Sequence, residues 1–320
     1  SIRHSLIGLS ALVLTASISA CGSNPTAEST SPGRESPPPE TAAGAQAGAC
    51  PTAPVDVVVS VDQWGDIVSE LGGACATVKT VLASSSVDPH DYEPSPADAA
   101  SFTGAKLIVL NGADYDHWAS DLAATSAPAA PVVSAAAVTQ TGDGANPHLW
   151  YRPSAVTAVA DAVSAELAKI DPEAAGYFSE RRAAFATTMQ PYSTLIEKIK
   201  AGATGKSYAA TESVFDYSAE ALGLINKTPQ GYQQAAANES EPAPADIQAF
   251  RKALANKQID VLIYNTQTEG SIPEQIRAAA EESGIPVVEV TETVAPGETT
   301  FVGWQDKQLT ALAGALGVTD

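Results

Sequence analysis

Short β-branched runs alternate with segments of helical period along nearly all of the chain from residue 54 onward, and this alternation restricts the fold more than any other feature. PVDVVVS (Pro54 to Ser60) is followed by Gln63 to Leu71, in which Trp64, Ile67, Val68 and Leu71 fall on one helical face. Thr77 to Leu82, Lys106 to Asn111 and Pro131 to Ala135 read as further strands, with helices between them. A second series runs through Ser207 to Ala210, Asp260 to Asn265 (DVLIYN) and Pro286 to Val290 (PVVEV). Its helices fit Ser213 to Leu222, Ala245 to Lys257, Ile272 to Glu282 and Thr299 to Leu316. Strands that alternate with helices run parallel, and a parallel sheet is covered by helices on both faces. Two such series predict two α/β lobes, each with a mostly parallel sheet flanked by helices.

Between the two series, Pro153 to Ala201 carries no strand signal. Phe178, Phe185, Met189, Tyr192, Ile196 and Ile199 lie on one helical face, which predicts one long helix joining the lobes. Asp171 is its expected cap, with Pro172 in the first turn, where a missing N–H costs nothing. Pro191 lies inside the pattern and predicts a kink in the turn before it. No internal repeat, dinucleotide glycine fingerprint or phosphate loop is visible.

The chain has 17 Lys and Arg against 37 Asp and Glu, a formal charge of −20. That balance excludes nucleic acid as a partner, because a polyanion is held by basic side chains. Residues 1–20 place Arg3 and His4 ahead of an apolar run too short to span a membrane, a secretory signal pattern. The run ends in Ile18-Ser19-Ala20-Cys21, which resembles the lipobox of bacterial lipoproteins and makes Cys21 the expected lipidation site. The alternative is a plain signal peptide with an incidental cysteine. Residues 22–49 contain no large apolar side chain and read as a flexible tether, with a reach on the order of 30 Å. Cys50 and Cys75 then remain as an even pair in an oxidising compartment, either disulfide-bonded or two free buried thiols. If bonded, their loop contributes about 3 kcal/mol. The resulting division is 1–20 signal peptide, 21–49 lipidated cysteine and tether, 50–152 first lobe, 153–201 connecting helical segment and 202–320 second lobe.

Chemistry based on imidazole can use only His90, His117 or His148 outside the signal segment. His90 in Asp88-Pro89-His90 and His148 in Asn146-Pro147-His148 share a local setting, a proline-stiffened loop beside a strand. Ligands of open parallel sheets bind on such loops. The segment DPHDYEPSPADA (Asp88 to Ala99) resembles the first metal-ligand segment of the solute receptors of bacterial zinc and manganese ABC transporters. NPHLWYRPS (Asn146 to Ser154) is similar to the second such segment, and TESVFDYSAEALGL (Thr211 to Leu224) to the third. The resemblance runs from about residue 54 to the C-terminus. It implies two α/β lobes joined by a rigid helix, with one metal ion in the cleft between them.

Carried over by position, the resemblance assigns the metal ligands His90, His148, Glu212 and Glu298, two from each lobe. His117, at a predicted helix start, and Asp306, inside the predicted last helix, are the rival ligands, and both read better as surface groups. Asn146 and Arg152 stand where the family often has Asp, and Glu298 is one methylene longer than the usual Asp. Two carboxylates neutralise a divalent cation and favour manganese, while zinc is intrinsically the stronger binder at any such site. The resemblance thus implies a monomeric, lipid-anchored receptor on the outer face of the cytoplasmic membrane that captures Mn(II) or Zn(II) and hands it to an ABC permease. Protonation of the two imidazoles would compete with the metal, so affinity should fall below about pH 6. The competing readings are a metal-dependent hydrolase and an envelope-displayed adhesin. The first needs an open coordination position and a general base, and neither a His-Glu-x-x-His helix nor a nucleophile elbow is present.

Overall fold

The computed structural model describes residues 48–83 and 87–318. The expected signal peptide, Cys21 and nearly all of the tether lie outside the described residues. The first series comprises β1 (Val55–Val61), α1 (Asp62–Gly72), β2 (Ala76–Leu82), α2 (Pro96–Phe102), β3 (Leu107–Leu110), α3 (His117–Ser126), β4 (Val132–Ser134) and α4 (Ala135–Val138). Next come α5 (Pro153–Ile170), α6 (Ala175–Thr188) and α7 (Gln190–Gly202). The second series is β5 (Ser207–Ala210), α8 (Asp216–Ala221), β6 (Ile225–Asn226), α9 (Gln230–Ala237), α10 (Pro244–Ala255), β7 (Val261–Asn265), α11 (Ser271–Glu282), β8 (Val287–Val290) and α12 (Phe301–Ala315).

Each lobe holds a four-stranded parallel sheet, in the order β2-β1-β3-β4 in the first and β6-β5-β7-β8 in the second. The orders are equivalent. In both, the chain steps outward by one strand and then returns to the other side of its starting strand. The topological switch points therefore lie between β1 and β3 and between β5 and β7, and crevices open there at the carboxyl ends of the strands.

Val57 to Val61 of β1 are buried on alternate faces, as expected of a central strand covered by helices on both sides. α1 buries Trp64, Ile67, Val68 and Leu71. It lies close over β2 because residue 65 is glycine: a Cβ there would sit 2.6 Å from Thr80 Oγ1. The buried residues of the first lobe, of α5 to α7 and of the inner side of the second sheet form one continuous apolar cluster. A separate core of Tyr232, Phe250, Leu254 and Ile276 fills the other side of the second sheet.

Cys50 and Cys75 are disulfide-bonded, with Cα atoms 5.0 Å apart, which decides between the bonded and free-thiol readings. The connecting run is helical but divided. A 3-10 turn (Pro172–Ala174) separates α5 from α6, and Met189 separates α6 from α7, directly before Pro191. Pro191 thereby falls in the first turn of α7, where it displaces no hydrogen bond, and the expected kink takes the form of a one-residue interruption at Met189, whose backbone stays right-handed helical. Asp171 does not act as a side-chain cap; its carboxylate accepts the Thr52 hydroxyl instead, which ties the chain near the disulfide to the joining helices. β6 and α9 were not anticipated. The former is two residues long, and Gln230–Ala237 contains Tyr232 as its one large apolar side chain. Among the described residues no helix is long and apolar enough to cross a membrane.

Candidate metal centre

The two Pro-His loops fold identically. Asp88 Oδ1 accepts the backbone N–H of His90 at 2.9 Å and lies 3.0 Å from its Nδ1. Asn146 Oδ1 accepts the backbone N–H of His148 at 3.1 Å and lies 2.6 Å from its Nδ1. These are Asx turns, in which a short side chain bonds the backbone two residues on, and the intervening proline fixes the loop. An oxygen beside Nδ1 engages that nitrogen and leaves Nε2 of each ring for other partners; for His148 that partner is Glu292.

The remaining groups come from loops at the carboxyl ends of β3, β5 and β8. Glu212 follows β5, and its Oε2 accepts Asn265 Nδ2 at 2.6 Å from the last residue of β7. Burial pushes the Glu212 carboxyl up; the hydroxyl of Thr268 and the Asn265 amide act against that, and the charge of Glu292 adds to it. Glu292 stands two residues beyond β8, 3.6 Å from His148 Nε2, and accepts the Tyr115 hydroxyl at 3.0 Å. Burial by itself would raise the Glu292 carboxyl, but His148, the Tyr115 hydroxyl and the charge of His90 outweigh it and hold the group below its usual range. Tyr115 is fully buried, edge-on to His90 with ring centroids 4.8 Å apart and 6.2 Å from the His148 ring. It is delivered by the loop after β3, which Asp116 organises by accepting the N–H groups of Asn111 and Gly112 and the Ser60 hydroxyl.

His90, His148, Glu212 and Glu292 all line one cleft of about 1070 Å³ between the lobes. Among the described residues no three His, Cys, Asp or Glu side chains stand close enough together to hold a metal ion as placed. The four groups face a common space without yet converging on one point.

The structure therefore brings His90, His148 and Glu212 together and leaves Glu298 out. Glu298 is not on the cleft wall; its Oε1 lies 3.2 Å from Lys307 Nζ beside the start of α12. The physical reason is path: the chain enters the cleft immediately after β8 and has left it again before residue 298. The signal for Glu292 was in the sequence, since ligand loops sit directly at the carboxyl ends of strands and VVEVTE places Glu292 there. Tyr115, Gln63 and Asn265 had no motif to announce them. His117 is exposed at the start of α3. Asp306 is half-buried rather than solvated; its Oδ1 has no hydrogen-bond partner, and burial raises its carboxyl.

A family model described as "ZnuA: Zinc-uptake complex component A periplasmic" matches residues 57–315, most of the chain and all of both sheets except the first two residues of β1. The chain belongs to the ZnuA family. That family is one of metal-uptake components and not of enzymes. Among ZnuA-family relatives, the manganese-binding lipoprotein MntA of Halalkalibacterium halodurans is 22% identical over 175 residues, 52% of this chain and 58% of the relative. The high-affinity zinc uptake system protein ZnuA of Bacillus subtilis is 22% identical over 203 residues, 58% of this chain and 62% of the relative. The matched part of this chain thus spans about three fifths of these relatives' length. The periplasmic zinc-binding protein TroA from Treponema pallidum has the same fold, with a TM-score of 0.66, 20% identity, and coverage of 82% of this chain and 99% of that one.

Proposed function

We propose that this ZnuA-family protein is an extracytoplasmic receptor that captures one divalent transition-metal ion as cargo, with His90, His148, Glu212 and Glu292 as its ligands. The observation that carries the reading is the pairing of two imidazoles, each oriented by an oxygen beside its Nδ1, with two buried carboxylates on the walls of one cleft. Two carboxylates match the charge of a divalent ion, and oxygen donors favour Mn(II) over the preference of a site richer in nitrogen. The mutual charge of Glu212 and Glu292 is compensated when a cation lies between them, which supplies a drive for convergence that the metal-free arrangement lacks. Manganese is the favoured cargo and zinc the second. The relatives named above divide between the same two metals.

Delivery to an ABC permease and a lipid anchor at Cys21 belong to the same reading, as does a monomeric body. Their support is the sequence resemblance and the lipoprotein name of the relative MntA. The decisive experiment strips the soluble body with chelator and titrates it calorimetrically with Mn(II) and with Zn(II), alongside Glu212→His and Glu292→Ala. One-to-one binding that is lost in Glu292→Ala, with manganese selectively weakened in Glu212→His, is the expected result. Absence of binding by either metal would overturn the reading.

A further inference from the structure

The segment from Thr291 to Thr300, which carries Glu292, contains no helix or strand, so no ladder of backbone hydrogen bonds decides where it runs. Its own lobe holds it from Gln267, whose Nε2 donates to Thr293 Oγ1, and from α12, where Trp304 Nε1 donates to Thr291 Oγ1. Gln267 Oε1 accepts the N–H groups of Glu292 and Thr293, and Gln308 Oε1 accepts that of Thr291. The other lobe adds the Tyr151 hydroxyl, which donates to the Thr291 carbonyl at 2.6 Å, the Tyr115 hydroxyl, and three residues of one helix, α1. Asp66 Oδ2 accepts the N–H of Phe301 at 2.7 Å, one of the N-terminal amides of α12 that has no partner within its helix. The Asp62 carboxylate, pushed up to about 6 by burial, feels the backbone N–H of Val294, which acts against that shift. Gln63 Nε2 donates to the carbonyl oxygen of Glu292 at 3.3 Å and to the Tyr115 hydroxyl at 2.9 Å, and that hydroxyl in turn donates to Glu292 Oε1.

Residues 62 and 66 lie one above the other on the same face of α1, with residue 63 beside them. The first two turns of α1 therefore reach the segment at the Glu292 carbonyl and at Val294 and Phe301 beyond it, and reach the Glu292 carboxylate through Tyr115. Gln63 is fully enclosed, so its contacts are not exchanged for water without cost. Asp66 is itself held by a hydrogen bond with Glu70 one turn further on, and Glu70 meets Arg181 and Thr188 of α6.

We infer that Asp62, Gln63 and Asp66 of α1 are positioning residues for the cargo metal, fixing the backbone of the 291–301 segment so that Glu292 faces the two imidazoles. The inference rests on Glu292 being a ligand as read above. A ligand that belongs to the second lobe by sequence is thus aimed by the first lobe. None of the three residues needs to touch the ion.

The test is a double-mutant cycle between Asp66→Ala and Glu292→Gln, read as Mn(II) affinity and dissociation rate. Asp66→Ala should weaken Mn(II) by about tenfold or more, the range for residues that orient a ligand, chiefly through faster release. Asp66→Asn, which keeps an oxygen acceptor for Phe301, should recover most of the loss. In the Glu292→Gln background, Asp66→Ala should add little, because its effect runs through that carboxylate. Gln63→Met provides the same cycle without removing a charge, should Asp66→Ala not fold. Leu254→Ala, in the separate core of the second lobe, controls for lost stability and should leave Mn(II) affinity unchanged. Equal losses in both backgrounds, or wild-type affinity in both Asp66→Ala and Gln63→Met, would overturn the inference while the receptor reading stood. No Mn(II) or Zn(II) binding by the wild-type protein would remove both.

Discussion

The Asp88-Pro89-His90 and Asn146-Pro147-His148 turns present the same hydrogen-bond pattern in opposite surroundings. His90 stands at the rim, its side chain 25% exposed and its partner Asp88 58% exposed, while the side chain of His148 is only 10% exposed. At the rim a charged acceptor stays hydrated and costs little. Deeper in, the acceptor is an amide, and its second half has a use: Asn146 Nδ2 donates to the carbonyl of Ser213 in the other lobe at 2.9 Å. An aspartate could orient His148 but could not make that bond. The neighbouring Tyr217 hydroxyl reciprocates by donating to the carbonyl of Asn146 at 2.7 Å. The departure from the family pattern at residue 146 is therefore a join between lobes as well as a turn. Identical local geometry need not imply identical duty.

The largest effect should come from removing the rings themselves. His90→Ala and His148→Ala should each weaken Mn(II) and Zn(II) by more than the 10- to 100-fold typical of residues that only orient a ligand. Calorimetric titration checks this, and retention of wild-type affinity in either variant would remove that histidine from the site. The exchange of acceptors separates the turns more sharply. Asn146→Asp leaves the Ser213 carbonyl without its donor and should cost about 1–3 kcal/mol of stability in the metal-free protein. Asp88→Asn loses nothing but a hydrated charge and should stay within about 0.5 kcal/mol. Urea midpoints measured on both variants should differ accordingly, and equal midpoints would mean that the interlobe bond contributes nothing.

The smallest effect concerns pH and guards the comparison against a confusion. Burial and the neighbouring Asp66 charge push the Glu70 carboxyl up to about 7, beneath α6 and far along α1 from either turn. The folded protein thus holds a proton there that the unfolded chain releases at lower pH. The associated stability is fully present below the ordinary carboxylate range and is lost as pH rises through about 7. Glu70→Gln should therefore melt a few degrees higher than wild type at pH 8 and at the same temperature at pH 4.5. A gain at both values would point to packing instead. Because this contribution grows as pH falls, a loss of metal affinity on acidification does not arise from Glu70 and is assigned to the site.

The elements with a strong period were legible: the strands other than β6, the helices on either side of each, and the helical run between the lobes. β6 and α9 were not, since Ile225–Asn226 is too short to show a period and Gln230–Ala237 has too few apolar residues to show a face. The interruption at Met189 was visible through Pro191, whereas Asp171 kept its position and changed its partner. His90, His148 and Glu212 carried motifs. Glu292 carried only its place after a strand, and a run with Glu at 289, 292 and 298 offers three carboxylates to that one signal. Tyr115 and Gln63 became visible only once the carboxyl ends of β1, β3 and β8 were seen to face one another, a relation that no local pattern contains.

The disulfide has a mechanical consequence. Cys50 lies five residues ahead of β1, and its covalent partner Cys75 lies immediately before β2. A pull on the chain upstream of Cys50 is received by that bond and shared by two neighbouring parallel strands at once. The bond thus fastens the starts of β1 and β2, two strands paired in parallel, to one another.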